Sequence, residues 1–162
     1  LSTLHTNDAV TSTLRLIDMG AAPYLVASAL RAILAQRLVR RVCQHCKKQY
    51  QPDELEQTWL RHFKAPANLT FWRGSGCQAC NYSGYKGRVG VFELLVLNKP
   101  LADALRRNDT EEFARIAYQS DEFRTLGSMA LDYATQGITS LDEVIRVSEY
   151  VDLDELSAGE PR

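Results

Sequence analysis

The 162-residue sequence lacks an apolar run of the roughly 18 residues that a membrane-spanning helix needs, and it has no signal peptide. It also lacks a GxxxxGK(S/T) phosphate loop, an HExxH metalloprotease motif and a GxSxG nucleophile motif. These absences exclude a complete active site of any of these kinds. What remains is a composition of 45% hydrophobic residues and a formal net charge of −1, which is typical of a globular protein. We expect a reducing cytoplasm, which suits free cysteine thiols.

Cysteine is scarce, and all four cysteines fall in two CxxC pairs, Cys43 with Cys46 and Cys77 with Cys80. Each pair can offer two thiolates from one tight turn, so the pattern predicts a structural zinc ion with four sulfur ligands. Two alternatives remain open, a pair of redox motifs and a disulfide framework. His45 and His62 are expected to be solvated, although either could replace one thiolate as a ligand.

Positive charge is concentrated around the first cysteine pair. The cationic residues there are Arg37, Arg40, Arg41, Lys47 and Lys48. One interpretation is a nucleic-acid surface. The favoured interpretation is electrostatic: zinc with four thiolates carries a net charge of −2, which these residues, together with Lys86 and Arg88, would offset. The patch has no interleaved aromatic residues in the sequence, and this argues against base stacking.

Periodicity and turn residues predict an α/β protein. The first half is expected to contain an opening strand LSTL, a helix capped by Thr6 or Asn7 that ends at Gly20, a buried helix from Pro23, a helix-or-strand segment 37–42 and a helix from Asp53. The second half is expected to contain strands at 70–72 and 88–96 and helices at 100–107, 110–119 (capped by Thr110), 125–135 (stopped by Gly137) and 140–147. An acidic mobile tail is expected from 151. Leu55, Trp59 and Phe63 are expected to form a small core. Because LSTL begins without a start methionine, we also expect the chain to be a piece of a longer protein.

His5 is the histidine in the most suggestive position, because it lies between a predicted strand and a helix N-terminus. The ends of strands in α/β folds commonly bind ligands, so His5 could donate a hydrogen bond to a phosphate oxygen. From composition alone, a structural role is the more common one for a lone histidine at a strand end.

Five segments, in order, make the chain similar to a known family: LSTLHTNDA, TLRLIDMG, LAQRLVRRVCQHC, GCQACNYSGYKGRVGVFELL and TLGSMALDYATQGITSLDEVIR. They resemble the C-terminal part of the ATPases of type II secretion and type IV pilus assembly, including the mannose-sensitive pilus. The resemblance covers about residues 1–150. It implies the C-terminal part of a RecA-like P-loop ATPase domain, with an inserted tetracysteine zinc subdomain and a C-terminal helical bundle.

The resemblance also implies roles for individual residues. His5 matches the family's His box, which lies near the γ-phosphate, and Arg37 is a candidate for contact with the nucleotide or a neighbouring subunit. The family's phosphate loop and acidic boxes precede its His box, so this fragment alone is expected neither to bind nor to hydrolyse ATP. The parent would use ATP and Mg, form a homo-hexamer, and act in the cytoplasm on an inner-membrane platform protein, without nucleic acid.

The expected division of the chain has four parts. Residues 1–42 complete the ATPase core, 43–87 form the zinc subdomain, 88–150 hold the return strand and helical subdomain, and 151–162 form the acidic tail. The alternative function is a freestanding, zinc-stapled module that binds a protein partner or nucleic acid.

Overall fold

The computed structural model describes residues 2–66 and 68–148. Its elements are α1 (Ala9–Asp18), α2 (Pro23–Ala29), β1 (Ala32–Val42), β2 (Lys47–Tyr50), α3 (Glu54–His62), β3 (Phe71–Gly74), a 3-10 turn (Gln78–Cys80), β4 (Tyr85–Val96), α4 (Lys99–Arg106), α5 (Thr110–Tyr118), α6 (Leu126–Thr135) and a further helix over 141–148. The protein is therefore mixed α/β, as predicted. The tail predicted from residue 151 lies outside the described residues.

The chain forms two compact units. The first unit contains residues 1–36 and 92–126, and the second contains residues 37–91 and 127–162. Strands β1 and β4 pair with each other as a two-stranded sheet, and each strand has residues in both units. None of the described helices is long and apolar enough to cross a membrane.

The first unit has an apolar core between α1, α2, α4 and α5. Its fully buried members are Ala9, Val10, Leu95, Leu101, Ala104, Leu105, Phe113 and Ala117. Strand β4 contributes Leu95 to this core, because side chains alternate along the strand: Glu93 and Leu95 are buried while Phe92 and Leu94 are exposed. The helices supply the rest through residues at helical spacing, such as Leu101, Ala104 and Leu105.

The start of the chain differs from the prediction in two respects. Residues 2–6 form no strand. A strand needs a neighbouring strand to satisfy its backbone hydrogen-bonding groups, and in the described residues β1 and β4 pair with each other rather than with residues 2–6. The cap of α1 is Asp8, not Thr6 or Asn7, since its carboxylate accepts a hydrogen bond from the amide of Thr11 at 2.8 Å. The predicted end of the helix is confirmed, because Gly20 has a φ of +93°.

Helix α2 begins at Pro23 as predicted, but it is less buried than its composition indicated. Val26 and Ala27 face the core, whereas Tyr24 is 63% exposed and Leu25 53% exposed. The helix also stops before the apolar run ends, because residues from Ala32 onward are in β1. The ambiguous segment 37–42 is therefore a strand.

The second unit contains two short antiparallel strands, a hairpin whose connection includes α3 and whose open end lies next to the cysteine pairs in sequence. In this hairpin β2 pairs with β3, with Lys47 opposite Gly74 and Tyr50 opposite Phe71. The sequence predicted β3 approximately and missed β2.

Helix α3 follows the hairpin's first strand, and its predicted core stripe is wrong in one position. Leu55 is 79% exposed, while Trp59 and Phe63 stack with ring centroids 4.6 Å apart. The buried residue of this turn is Glu56, because its carboxylate accepts hydrogen bonds from the Tyr50 hydroxyl and the Asp53 amide.

Helix α5 is capped by Asp109 rather than Thr110, since the Asp109 carboxylate accepts from the amide of Glu112 at 3.1 Å. Both residues are good N-caps, and adjacent candidates of this kind are hard to separate from sequence. Gly137 ends the segment after α6 with a φ of +66°, as predicted.

Candidate metal centre

The four cysteines lie together, with their sulfur atoms all within 4.8 Å of one another. The sulfurs of Cys43 and Cys77 are 3.9 Å apart, those of Cys46 and Cys80 are 3.9 Å apart, and those of Cys77 and Cys80 are 3.7 Å apart. A tetrahedron of sulfurs about 2.3 Å from a zinc ion has edges of about 3.8 Å. The thiols are unpaired by disulfides and three of them are buried, so the donor set fits one metal ion such as zinc.

Each cysteine pair is presented by a tight turn. The Cys46 amide donates to the Cys43 carbonyl at 3.3 Å, and the Cys80 amide donates to the Cys77 carbonyl at 3.1 Å. The second turn continues through Asn81 and Tyr82, which both have the left-handed backbone that is uncommon outside glycine, with φ of 49° and 60°. The two turns therefore aim their sulfurs at one point by backbone geometry.

Backbone amides stabilise the thiolate form at one corner of the site. The amides of Cys77 and Gly84 donate to the Cys80 sulfur at 3.2 and 3.3 Å. Burial is the largest single influence and raises the pKa of Cys80, but the two amides together with the side chains of Cys77 and Cys46 lower the pKa to about 6. Gly84, which follows the second cysteine pair, thus points its backbone amide at a sulfur. Cys46 differs, because burial raises the pKa of its thiol to about 12.

Gly84 also joins the two turns. Its carbonyl accepts from the amide of Cys43 at 2.9 Å, while its amide donates to Cys80. The backbones of Gly84 and Gly74 pass so closely that a Cβ on Gly74 would lie 2.0 Å from the Gly84 carbonyl oxygen. Glycine is therefore required at this crossing.

The histidines lie outside the cluster. His45 and His62 are exposed, as predicted, and the metal-binding group found in the described residues consists of the four cysteines. His5 is also exposed and precedes α1 in the first unit. Arg37 is half-buried in β1 and belongs to the second unit.

Three cations of the second unit, two of them from the basic patch, lie over aromatic rings that the sequence did not predict as their neighbours. Arg40 stacks over Tyr85 at 4.0 Å, Lys47 lies 4.5 Å over Trp72, and Arg73 lies 3.5 Å over Tyr50. Each ring comes from a strand that is distant in sequence, so no local pattern could predict these pairs. Contacts of this kind stabilise the second unit, and each cation covers one face of its ring on which a base could otherwise stack.

Besides Glu56, two further glutamates, Glu143 and Glu93, are buried although the sequence did not predict it. Glu143 has a fully buried side chain and accepts hydrogen bonds from the Arg40 amide at 2.7 Å and from the Arg40 guanidinium at 2.8 Å. Burial alone would raise the pKa of Glu143, but Arg40 and the nearby Arg146 lower it. Glu93 lies between buried Val91 and Leu95 of β4, and a charged residue at a buried position of an alternating strand is the signal that could have found it.

Comparison with known proteins identifies a family and several relatives to which the chain is similar. Residues 1–146 match the family described as "Type II/IV secretion system protein". The chain is 42% identical over 149 residues to the type II secretion system ATPase E of Vibrio cholerae, and this match covers 92% of the chain and 29% of the relative. It is 39% identical over 152 residues to the type II secretion system protein E of Dickeya dadantii, covering 92% of the chain and 29% of that relative.

A third relative comes from pilus assembly. The type IV pilus assembly ATPase PilB of Thermus thermophilus is 38% identical over 148 residues, covering 90% of the chain and 16% of the relative. The chain thus spans less than a third of the length of the curated relatives it matches. With a family match over most of its residues, the chain belongs to the type II/IV secretion system protein family.

Proposed function

We propose that the chain is the C-terminal part of a motor ATPase that couples ATP hydrolysis to type II secretion or to pilus assembly. The observation that carries this proposal is the match over residues 1–146, together with relatives that are named as ATPases of both machines. Because the chain contains no phosphate loop, we expect it to depend on a longer parent for ATP and Mg binding and to be inactive alone.

His5 is proposed to position or sense the terminal phosphate of ATP. Its side chain is exposed just before the N-terminus of α1, where an imidazole can reach a ligand. Arg37 is proposed, by position in β1, to contact the nucleotide or a neighbouring subunit.

Cys43, Cys46, Cys77 and Cys80 are proposed to hold one structural zinc ion. The ion would contribute folding free energy to the zinc-binding lobe, residues 43–87. The hydrophobic core of this lobe is small, since its hairpin strands β2 and β3 are only four residues long. A four-thiolate site leaves no open coordination position, so its role is to stiffen this lobe rather than to catalyse. Such a rigid lobe is suited to transmit movement or to contact a partner.

The proposed organisation follows the four segments predicted from the sequence: 1–42 in a RecA-like core, 43–87 as the zinc subdomain, 88–150 as the return strand and helical bundle, and 151–162 as a tail. The parent would be a homo-hexamer in the cytoplasm, held at the inner membrane by a platform protein. ATP turnover would move its subunits and thereby drive that partner.

The alternative of a nucleic-acid module is less well supported. Arg40, Lys47 and Arg73 already stack on aromatic rings of their own unit, and Arg40 is paired with Glu143 as well. Cations that are occupied in this way are poor candidates for phosphate contacts.

The proposal is tested with the full-length protein and its His5→Ala variant. We expect ATP turnover by the wild type and a kcat at least about tenfold lower for the variant, because a lost hydrogen bond to transition-state charge typically reduces rate by this much or more. The excised chain should show no ATP binding by calorimetry. A full-length protein without ATPase activity would overturn the proposed function, and an unchanged kcat in the variant would overturn the role of His5.

A further inference from the structure

The exposed His5 is followed directly by a backbone segment that is held from several sides. Asp8 is 1% exposed, and its carboxylate accepts from the Thr11 amide at 2.8 Å and from the Thr11 hydroxyl at 2.7 Å. The buried Ser12 hydroxyl donates to the Asp8 carbonyl at 2.5 Å and contacts the Thr6 hydroxyl. The residues on the C-terminal side of His5 are thus fixed, while its own side chain faces outward.

Glu93, on strand β4, also binds the backbone that follows His5. It is 2% exposed, and its two carboxylate oxygens are both used: one accepts from the amide of Ala9 at 2.8 Å and the other from the amide of Leu126 at 3.0 Å. Ala9 is the first residue of α1, four positions after His5. The carboxylate therefore binds the N-terminus of the helix that directly follows His5, where a negative charge is stabilised by the helix dipole.

A carboxylate at this position is costly to bury. Burial raises the pKa of Glu93, and the nearby charge of Asp8 raises it further, while the amides of Ala9 and Leu126 act in the opposite direction. An apolar residue would fit the buried face of β4 between Val91 and Leu95 without this expense. The structure thus retains a buried charge whose hydrogen bonds go to backbone at the start of α1 and at the start of α6.

We propose that Glu93, assisted by Ser12, is a positioning residue for His5 in the ATPase reaction. Glu93 fixes the first amide of α1 and Ser12 fixes Thr6 and Asp8, so that together they hold the backbone that presents the imidazole. This inference rests on the proposed role of His5. Its physical basis is that displacement of a catalytic group by about 1 Å can lower a rate about a hundredfold.

The test is a double-mutant cycle in the full-length protein, using His5→Ala and Glu93→Gln. Glutamine keeps the size of the side chain, but its amide group turns a donor toward one of the two backbone N–H groups. Glu56→Gln is the matched control, since Glu56 is also buried and also accepts a backbone amide at a helix start, in the other unit. Thermal denaturation of each variant records its loss of stability alongside kcat and KM for ATP.

We expect Glu93→Gln to lower kcat about tenfold or more with KM within about threefold, and Glu56→Gln to leave kcat within about twofold. In the His5→Ala background, Glu93→Gln should lower kcat by less than about twofold further, because both changes remove the same interaction. If Glu93→Gln does not fold, Ser12→Ala takes its place, with an expected loss in kcat of about threefold that also disappears without His5.

The outcomes separate the two proposals. The positioning role would be overturned if the fold losses in kcat of His5→Ala and Glu93→Gln multiplied in the double variant, or if Glu93→Gln and Glu56→Gln lost kcat equally. Either result would leave the role of His5 intact. A His5→Ala variant with wild-type turnover would overturn both.

Discussion

Replacing Gly84 by alanine should disrupt the cysteine cluster, because its backbone is bonded to both cysteine pairs. Gly84 has a φ of +77°, and a Cβ there would lie 2.6 Å from the carbonyl oxygen of Gly74. The same residue donates to the Cys80 sulfur and accepts from the Cys43 amide. Any backbone shift that relieves the close contact therefore moves both pairs of thiols.

The expected magnitude has two parts. A left-handed backbone at a residue with a Cβ costs about 1 kcal/mol, and crowding against backbone costs about 1–3 kcal/mol more. Gly87 provides the matched control, because its φ is +82° but the nearest atom to its Cβ would be Arg41 Cδ at 3.9 Å. Gly87→Ala should therefore lose only the first part, about 1 kcal/mol.

Two measurements on the purified chain check this prediction. Urea unfolding in the presence of zinc should give a free energy of unfolding about 2–4 kcal/mol lower for Gly84→Ala than for the wild type. Competition with a chromophoric chelator should show zinc affinity at least about tenfold weaker for Gly84→Ala and little changed for Gly87→Ala. Equal effects of the two substitutions would show that the crossing with Gly74 does not hold the site together.

Two further predictions concern metal removal and pH. Removing the metal with a chelator should change tryptophan fluorescence strongly, since both tryptophans, Trp59 and Trp72, lie in the second unit. Adding zinc back should restore the signal. An unchanged spectrum in metal-free protein would contradict a folding role for the ion. Glu143→Gln should lower the free energy of unfolding by about 2 kcal/mol at pH 7. Because the pKa of folded Glu143 lies below its ordinary value of 4.5, the carboxylate's contribution is complete above pH 4.5 and is lost as pH falls through the folded pKa. The difference between wild type and variant should therefore shrink below about pH 4.5 in acid unfolding, and a difference that grows in acid would refute the assignment.

Sequence was sufficient where the relevant interactions are local. The spacing of Cys43, Cys46, Cys77 and Cys80 predicted one cluster, and the structure brings their sulfurs together. Gly20 and Gly137 predicted the ends of helical segments for the same reason, because a positive φ is a property of a single residue.

The errors have both local and long-range origins. Leu55 follows helical spacing with Trp59, yet it is exposed, while the neighbouring Glu56 is buried with its carboxylate bonded to Tyr50 and Asp53, a local polar contact that hydrophobic spacing does not register. The pairing of Arg40 with Glu143 joins residues 103 positions apart. Contacts of this range depend on tertiary structure, which periodicity within a short window does not contain.

The site residues outside the cluster show the same limit. His5 was singled out by its position before a helix N-terminus, and the resemblance gave nucleotide roles to His5 and Arg37 that stay predictions. Glu93, by contrast, was identifiable in principle from alternation in β4, but its partners at Ala9 and Leu126 were not.

A single zinc ion held by four thiolates is the feature that links the sequence pattern, the fold of the second unit and the proposed function. Zinc K-edge X-ray absorption of the purified chain, combined with elemental analysis, measures it directly. We expect one zinc per chain with four sulfur neighbours at about 2.3 Å. Protein without zinc whose four thiols all titrate in the native state, or zinc with nitrogen or oxygen replacing a sulfur, would contradict the account.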